Sequence, residues 1–292
     1  MFDRLDKKRR DVGWVLAARE SKTFRYLVLD SDSHLVYLRD APDTSELPLF
    51  STDLLPSHFG NRAHGVLLGE RDGEVIFCFD SEVMGPEFMD MTESVDSRLV
   101  TQNLSPMDSS IFLMARALML WSVTVRFCGR CGSPTEKLAG GMSYRCEKPF
   151  CSTKHYPKID PAVIMLVTDG GDQVALGRGR RHPEGMFSCF AGFLEPGESI
   201  EDAVVREVKE ECGLHVEELK YFSSQAWPYP SAVMIGFIAN ARKTELVLDS
   251  DEILEGRWFS RSELEIAREA GSQTLPRQGS LARELLDFWL DD

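Results

Sequence analysis

Residues 199 to 213 read "SIEDAVVREVKEECG", a stretch that can fold into little other than one helix. Ser199 followed by Asp202 makes a capping box, Gly213 stands where a helix stops, and apolar residues recur at helical spacing between them. The spacing predicts a helix from about 199 to 212 with a core stripe of Ile200, Ala203, Val204, Glu207, Val208 and Glu211. Two core positions therefore hold acids, and Glu210 lies one step aside, three residues after Glu207. An unpaired carboxylate taken out of water costs roughly several kcal/mol or shifts its pKa. A solvated acidic face is the ordinary reading of a Glu-rich helix, but here the apolar stripe runs through the acids, so something cationic must sit beside them. Arg206 answers one charge. The remaining carboxylates, with Glu195 and Glu198 in the preceding glycine-bearing loop, match the hard oxygen ligands that Mg²⁺ or Mn²⁺ prefers.

The chain has 292 residues, 43% of them hydrophobic, enough for two domains and a small third. Its formal charge of −14 argues against broad binding to nucleic-acid backbone or an anionic membrane, so any RNA contact must be local. Apolar stretches fall short of a bilayer span, and "MFDRLDKKRRDVGW" has no apolar segment behind its charged start. The expectation is a soluble, cytoplasmic chain without a cleaved leader or membrane partner. "FWLDD" is not a standard peroxisomal address, though an organellar signal of another kind stays open. "KKRR" at 7 to 10, flanked by Asp3, Asp6 and Asp11, reads as a solvated terminus.

Composition predicts three parts: a β-rich domain with a connecting helix over 1–125, a small metal-bearing segment over 126–157, and an α/β domain over 158–292. Short runs such as "FRYLVLD", "LVYLRD", "HGVLLGE" and "GEVIFCFD" make the first part mainly strands, and "MDSSIFLMARALMLWSVTVRF" reads as the helix that closes it. In the second part Cys128, Cys131, Cys146 and Cys151 are spaced C-x2-C and C-x4-C, with Gly129 and Gly132 after the first two. This suits two turns holding one tetrahedral structural zinc, with His155 as an alternative ligand to the wider pair. Cys78, Cys189 and Cys212 are scattered among apolar residues, and an odd total with four cysteines clustered fits metal ligation in a reducing compartment better than disulfides.

The third part opens with strand, turn and strand in "PAVIMLVTDGGDQVALGRG", followed by a strand and loop in "MFSCFAGFLEPGE". Basic "RGRRH" at 178 to 182 is either a solvated hairpin or a phosphate contact. Downstream, "SSQAWPYPSAVM" alternates aromatics with prolines, an extended stiff segment whose faces suit a planar base, or a proline-rich surface ligand.

Gly192, five residues, Glu198, seven residues and then "REVKEECGL" resembles in full the signature of the Nudix hydrolases, which cut nucleoside diphosphates linked to another group. "SSQAWPYPSAVM" resembles the SQPWPFPxS signature of the NADH pyrophosphatase branch, which also carries a four-cysteine zinc ribbon leading into a YPxxDPAVI strand, here "YPKIDPAVI". The likeness covers roughly residues 113 to 292, including "GSLAREL". Ala226 stands in for Pro, Tyr229 for Phe and Ala232 for Ser, so three of eight specified positions differ.

The resemblance implies a mixed sheet between helices in an α/β/α sandwich, preceded by the β-rich domain and zinc ribbon. It implies metal-dependent hydrolysis of the pyrophosphate of NADH or NAD⁺ to nicotinamide mononucleotide and AMP, extending to the NAD cap of RNA. The alternative is a Nudix pyrophosphatase of ADP-ribose, diadenosine polyphosphates or flavin dinucleotide. Several Mg²⁺ or Mn²⁺ ions would be held by Glu207, Glu210, Glu211, Glu252 (Glu255 as alternate) and the Ala191 carbonyl, with Glu210 or Glu211 activating water. Arg206 and Glu198 would orient the carboxylates. Tyr156, Phe193, the segment Gln225, Ala226, Trp227, Pro228, Tyr229, Pro230, Ser231 and Ala232, and Ala282 would meet the dinucleotide. A homodimer with one structural zinc per subunit completes the expectation.

Overall fold

The computed structural model describes residues 1–21, 23–40, 44–56, 65–272 and 274–292; His64, which opens the run "HGVLLGE", lies outside them. The described residues form two compact units, Met1–Lys158 and Ile159–Asp292. No helix among them is long and apolar enough to cross a membrane.

In the first unit a sheet runs in the order β1 (Phe2–Asp3), β5 (Gly65–Arg71), β6 (Glu74–Asp80), β2 (Arg25–Leu29), β3 (Leu35–Leu38) and β7 (Thr92–Val95), with β4 (Phe50–Ser51) beside β2. Both faces of the sheet are covered. Along β2, Leu27 and Leu29 pack into a core with the long helix α4 (Pro106–Thr124), while Tyr26 and Val28 pack into the opposite core, where Trp14, Val15 and Phe88 join them. Period-two alternation thus serves two apolar layers, which explains why these strands read as runs of hydrophobic residues.

The unit is less purely β than its sequence suggests. α1 (Val12–Glu20), α2 (Pro86–Asp90) and α3 (Ser97–Asn103) were not anticipated. α1 has no fully buried residue, so its apolar stripe is too weak to announce a helix, although Asp11 caps it through the Trp14 amide. The basic "KKRR" is also not simply solvated. Arg9 is buried, its guanidinium donating to the carbonyls of Arg4 and Leu68 at 2.6 and 2.8 Å.

The same unit ends in a three-stranded sheet of β8 (Thr135–Leu138), β9 (Ser143–Cys146) and β10 (Lys154–His155), in the order β10, β9, β8. Gly140 and Gly141, both at positive φ, lie where an added Cβ would strike Leu67 and Val66 of β5.

The second unit is a mixed α/β layer structure. Its sheet runs β14 (Val216–Trp227), β15 (Ala232–Ala241), β11 (Asp160–Thr168), β12 (Gln173–Gly179) and β16 (Ile253–Ser260), with β13 (Phe190–Phe193) on β11. β11 and β15 are parallel, and the other pairs are antiparallel. Val163, Met165 and Val167 of β11 pack into a core with α5 (Ile200–Cys212). Ile164 and Leu166 face the other layer, where α6 (Arg261–Glu269) and α7 (Leu281–Asp291) bring Leu264, Leu285 and Leu286. The continuous apolar run of β11 is therefore that of a strand buried on both faces.

Candidate functional site

The site is built around α5. Ser199 accepts a hydrogen bond from the Asp202 amide at 3.1 Å and Asp202 reciprocates, so the capping box forms as expected, while Gly213 ends the helix at φ 74°. On the helix, Glu207 is 8% exposed and Glu211 6%, among buried Ala203, Val204 and Val208. Glu210 is exposed.

β13 presses directly on these acids. A Cβ added to Gly192 would lie 1.9 Å from the Glu207 carboxyl carbon, so only glycine lets the strand pass over that carboxylate. The Ala191 amide donates to Glu211 Oε2 at 2.9 Å. Because the N–H and C=O of a strand residue point to the same side, the Ala191 carbonyl also faces α5.

Arg206 gathers the remaining charge. It donates to both Glu198 oxygens at 3.0 and 2.7 Å, to Glu207 at 2.7 Å, to Glu210 at 3.0 Å and to the Phe193 carbonyl at 2.9 Å. The Arg206 fork and the Glu195 amide hold the Glu198 carboxyl below its usual range. Burial pushes Glu207 up in spite of Arg206, with Glu210 and Glu252 adding repulsion. Burial, joined by repulsion from Glu207, Glu252 and Asp249, pushes Glu211 up to about 8 against the Ala191 hydrogen bond. One guanidinium thus pairs with Glu198, Glu207 and Glu210, while Glu211 and Glu252 add charge that it does not pair with, an excess that divalent cations suit.

Glu252 and Glu255 separate in the structure. Glu255 pairs with Arg178 across β12 and β16. Glu252 sits just before β16, its charge acting on both buried carboxyls. Arg180 donates to the carbonyls of Ser250 and Asp251 and so fastens the turn that carries Glu252. Within "RGRRH", Arg178 and Arg180 are therefore engaged with the protein.

The segment expected to meet the base is only half extended. Gln225, Ala226 and Trp227 finish β14, Pro228 to Ser231 form a hairpin turn, and Ala232 begins β15 opposite Trp227. The Trp227 and Tyr229 rings meet at 5.0 Å, and Ser231 bonds to Asp160. The Gln225 amide, expected to face substrate, is occupied at both ends: Nε2 donates to the Gly279 carbonyl at 2.8 Å and Oε1 accepts from the Leu281 amide at 2.9 Å. Its contacts fix the entry to α7, a tie that spans 54 residues and leaves no local signal.

Phe193 is 61% exposed at the end of β13. Ala282 is buried in the α7 core, so its methyl group has no face for a ligand. Tyr156 is exposed but belongs to the first unit.

In that unit the sulfurs of Cys128, Cys131, Cys146 and Cys151 lie within 4.8 Å of one another, without His155. The Ser133 backbone amide holds the Cys131 thiol down to about 6, and the Thr153 hydroxyl holds Cys151 low, so both favour the thiolate form that metal requires. This donor set fits a closed, structural zinc site.

With the geometry in view, two family descriptions match the chain: "NUDIX domain" over residues 158–278 and "NADH pyrophosphatase zinc ribbon domain" over residues 124–156. The NAD-capped RNA hydrolase NudC of Stutzerimonas stutzeri is 35% identical over 91% of this chain and 87% of its own. That of Mycobacterium bovis is 39% identical over 68% and 65%. The NAD-capped RNA hydrolase NUDT12 of Macaca fascicularis is 39% identical over 64% of this chain, which spans 43% of that relative's length.

Proposed function

The chain belongs to the Nudix hydrolases that carry an NADH pyrophosphatase zinc ribbon, and from that premise we propose that it hydrolyses the pyrophosphate bond of NADH and NAD⁺ and removes the NAD cap from RNA. The products are nicotinamide mononucleotide and AMP, or, from capped RNA, a 5′-monophosphate end. One observation carries the reading: two buried carboxylates on an apolar helix face, pressed by a glycine strand, of which only Glu207 is paired with an arginine. The similarity to relatives named NAD-capped RNA hydrolases supports the substrate class.

Glu207, Glu210, Glu211, Glu252 and the Ala191 carbonyl would hold Mg²⁺ or Mn²⁺, which when bound neutralises phosphate oxygens and lowers the pKa of water. Arg206 and Glu198 set the angle of the acid cluster. Either Glu210 or Glu211 accepts the proton of the attacking water. Phe193 and the Trp227–Tyr229 pair offer aromatic faces to the dinucleotide. The Ala282 contribution is its backbone at the start of α7, and Gln225 holds that backbone in place.

The same proposal divides the chain into a β-rich domain over 1–125, a zinc ribbon over 126–157 and a Nudix domain over 158–292. It makes the protein a homodimer, measurable by light scattering. Free Cys78, Cys189 and Cys212 support a reducing compartment such as the cytoplasm.

The test is chromatographic product analysis with NADH, NAD⁺, ADP-ribose and NAD-capped RNA, each in Mg²⁺ and in Mn²⁺. AMP and nicotinamide mononucleotide should appear, and Glu211→Gln should lower kcat by about 10³-fold or more. Preferred cleavage of ADP-ribose would instead show that Ala226, Tyr229 and Ala232 have redirected the base pocket.

A further inference from the structure

The chain carries −14 overall, but residues 124 to 158 hold seven basic residues against Glu136 and Glu147, a net of +5 that leaves −19 for the remainder. A zinc ion with four thiolates would contribute −2, so the segment stays at +3 when loaded. Neutralising the metal centre therefore does not use up the excess.

The basic side chains are also free. Arg126, Arg130, Lys148, Lys154 and Lys158 are exposed and have no hydrogen bond or ion pair among the described residues, whereas Arg145 is paired with Glu136 and Lys137 donates to the Gly65 carbonyl. Aromatic rings accompany them. Among the described residues the exposed aromatics are Phe127, Phe150, Tyr156, Phe193, Tyr221 and Phe288, so half fall in this short segment, and Phe150 is 100% exposed.

The metal end brings these groups together. Cys128 lies 3.8 Å from Cys151, and Cys131 3.5 Å from Cys146, sulfur to sulfur. Arg130 sits inside the first turn, Lys148 and Phe150 inside the second, so one tip presents two unpaired cations and a bare ring. Arg126 and Phe127 enter that tip, and Lys154 lies on the outer strand β10.

We propose that this ribbon surface binds single-stranded RNA, with Arg126, Arg130, Lys148 and Lys154 meeting phosphates and Phe127 and Phe150 stacking on bases. The proposal rests on the reading that capped RNA is a substrate, and it identifies which part of an acidic protein can hold the RNA body. Cations interleaved with exposed aromatic faces are the chemistry that single strands require, since phosphates supply the charge and every base supplies a stacking face. An acidic protein surface would answer the charges, whereas a single strand answers charges and rings together at every nucleotide.

The experiment is fluorescence anisotropy of a short, unstructured, uncapped RNA labelled at its 3′ end, titrated at several salt concentrations. The full-length zinc-loaded protein is compared with Arg130→Glu/Lys148→Glu and with Phe150→Ala. The double variant should bind on the order of tenfold more weakly or worse, with a salt slope shallower by about 1.4, at ~0.7 per lost phosphate contact. Phe150→Ala should weaken binding about fivefold or more. NADH turnover should keep its kcat/KM in both. Bound zinc is measured in each variant, and Arg130→Gln/Lys148→Gln replaces the charge reversal if zinc is lost. Unchanged RNA affinity and slope would overturn the proposal. So would a fall in mass by light scattering with RNA binding intact, which would make this face an interface between copies. A wild-type protein that binds RNA through the ribbon but cleaves neither NADH nor capped RNA would refute the proposed activity alone.

Discussion

The cysteine cluster and the proposed glutamate site both suit a cation, yet they are built on opposite plans. Among the described residues the four sulfurs are the only group of three or more candidate ligands drawn within 4.8 Å of one another. The glutamates are held apart by the protein itself, Glu207 and Glu210 on Arg206 and Glu211 on the Ala191 amide. Thiolates presented by turns need the metal to complete their fold. Carboxylates mounted on a capped helix against a packed sheet keep their place without one and leave room for a ligand that comes and goes.

The difference can be broken in three ways. The largest effect concerns the ribbon: Cys131→Ser or strong chelation should abolish stoichiometric zinc, removing binding free energy on the order of 10 kcal/mol. Limited proteolysis should then cut within 124–158, whereas withdrawing Mg²⁺ or Mn²⁺ should leave α5 protected in hydrogen exchange. Next comes Arg206→Met, which strips the glutamate centre of its internal cation. Stability in metal-free buffer should fall by about 3 kcal/mol, toward the low end for a broken buried pair because the fork is partly solvated. Saturating Mg²⁺ should recover part of that loss; no recovery would mean that the acids do not share a cation site.

The smallest effect, taken per pH unit, is a slope with pH. The folded Glu211 carboxyl stands at about 8, above its ordinary value of 4.5. The folded state thus holds a proton that the unfolded chain has released. Stability is fully present below the unfolded value and is lost as pH rises through about 8. The slope is at most one proton, about 1.4 kcal/mol per pH unit. Denaturant titrations of the metal-free protein should show it, and Glu211→Gln should flatten it. An equal slope in the variant would assign the titration elsewhere.

What the sequence made legible was whatever is encoded locally. The capping box, the acid-bearing stripe and the terminal glycine of α5 all lie within one short stretch, and the cysteine spacing states its own turns. What it concealed depends on distant partners. Arg9 reads as one of four solvated cations because the carbonyl it serves belongs to Leu68, 59 residues on. Gln225 reads as a ligand contact because Gly279 and Leu281 are equally remote. Glu252 and Glu255 could be told apart only once Arg178 was seen to take the latter. α1 escaped for a different reason: its inward face is only Trp14, Val15 and Ala18, none of them fully buried, too short a stripe to announce a helix.

The doubly bonded Gln225 also makes the second unit mechanically continuous at this corner. The strand leading into the Trp227–Tyr229 hairpin and the first turn of α7 share one rigid amide, so an outward swing of the hairpin must stretch the Leu281 hydrogen bond or carry the helix end with it. The Leu281 amide proton is therefore placed to report on the hairpin: an outward swing of that turn, on which it does not itself lie, would speed its exchange with solvent.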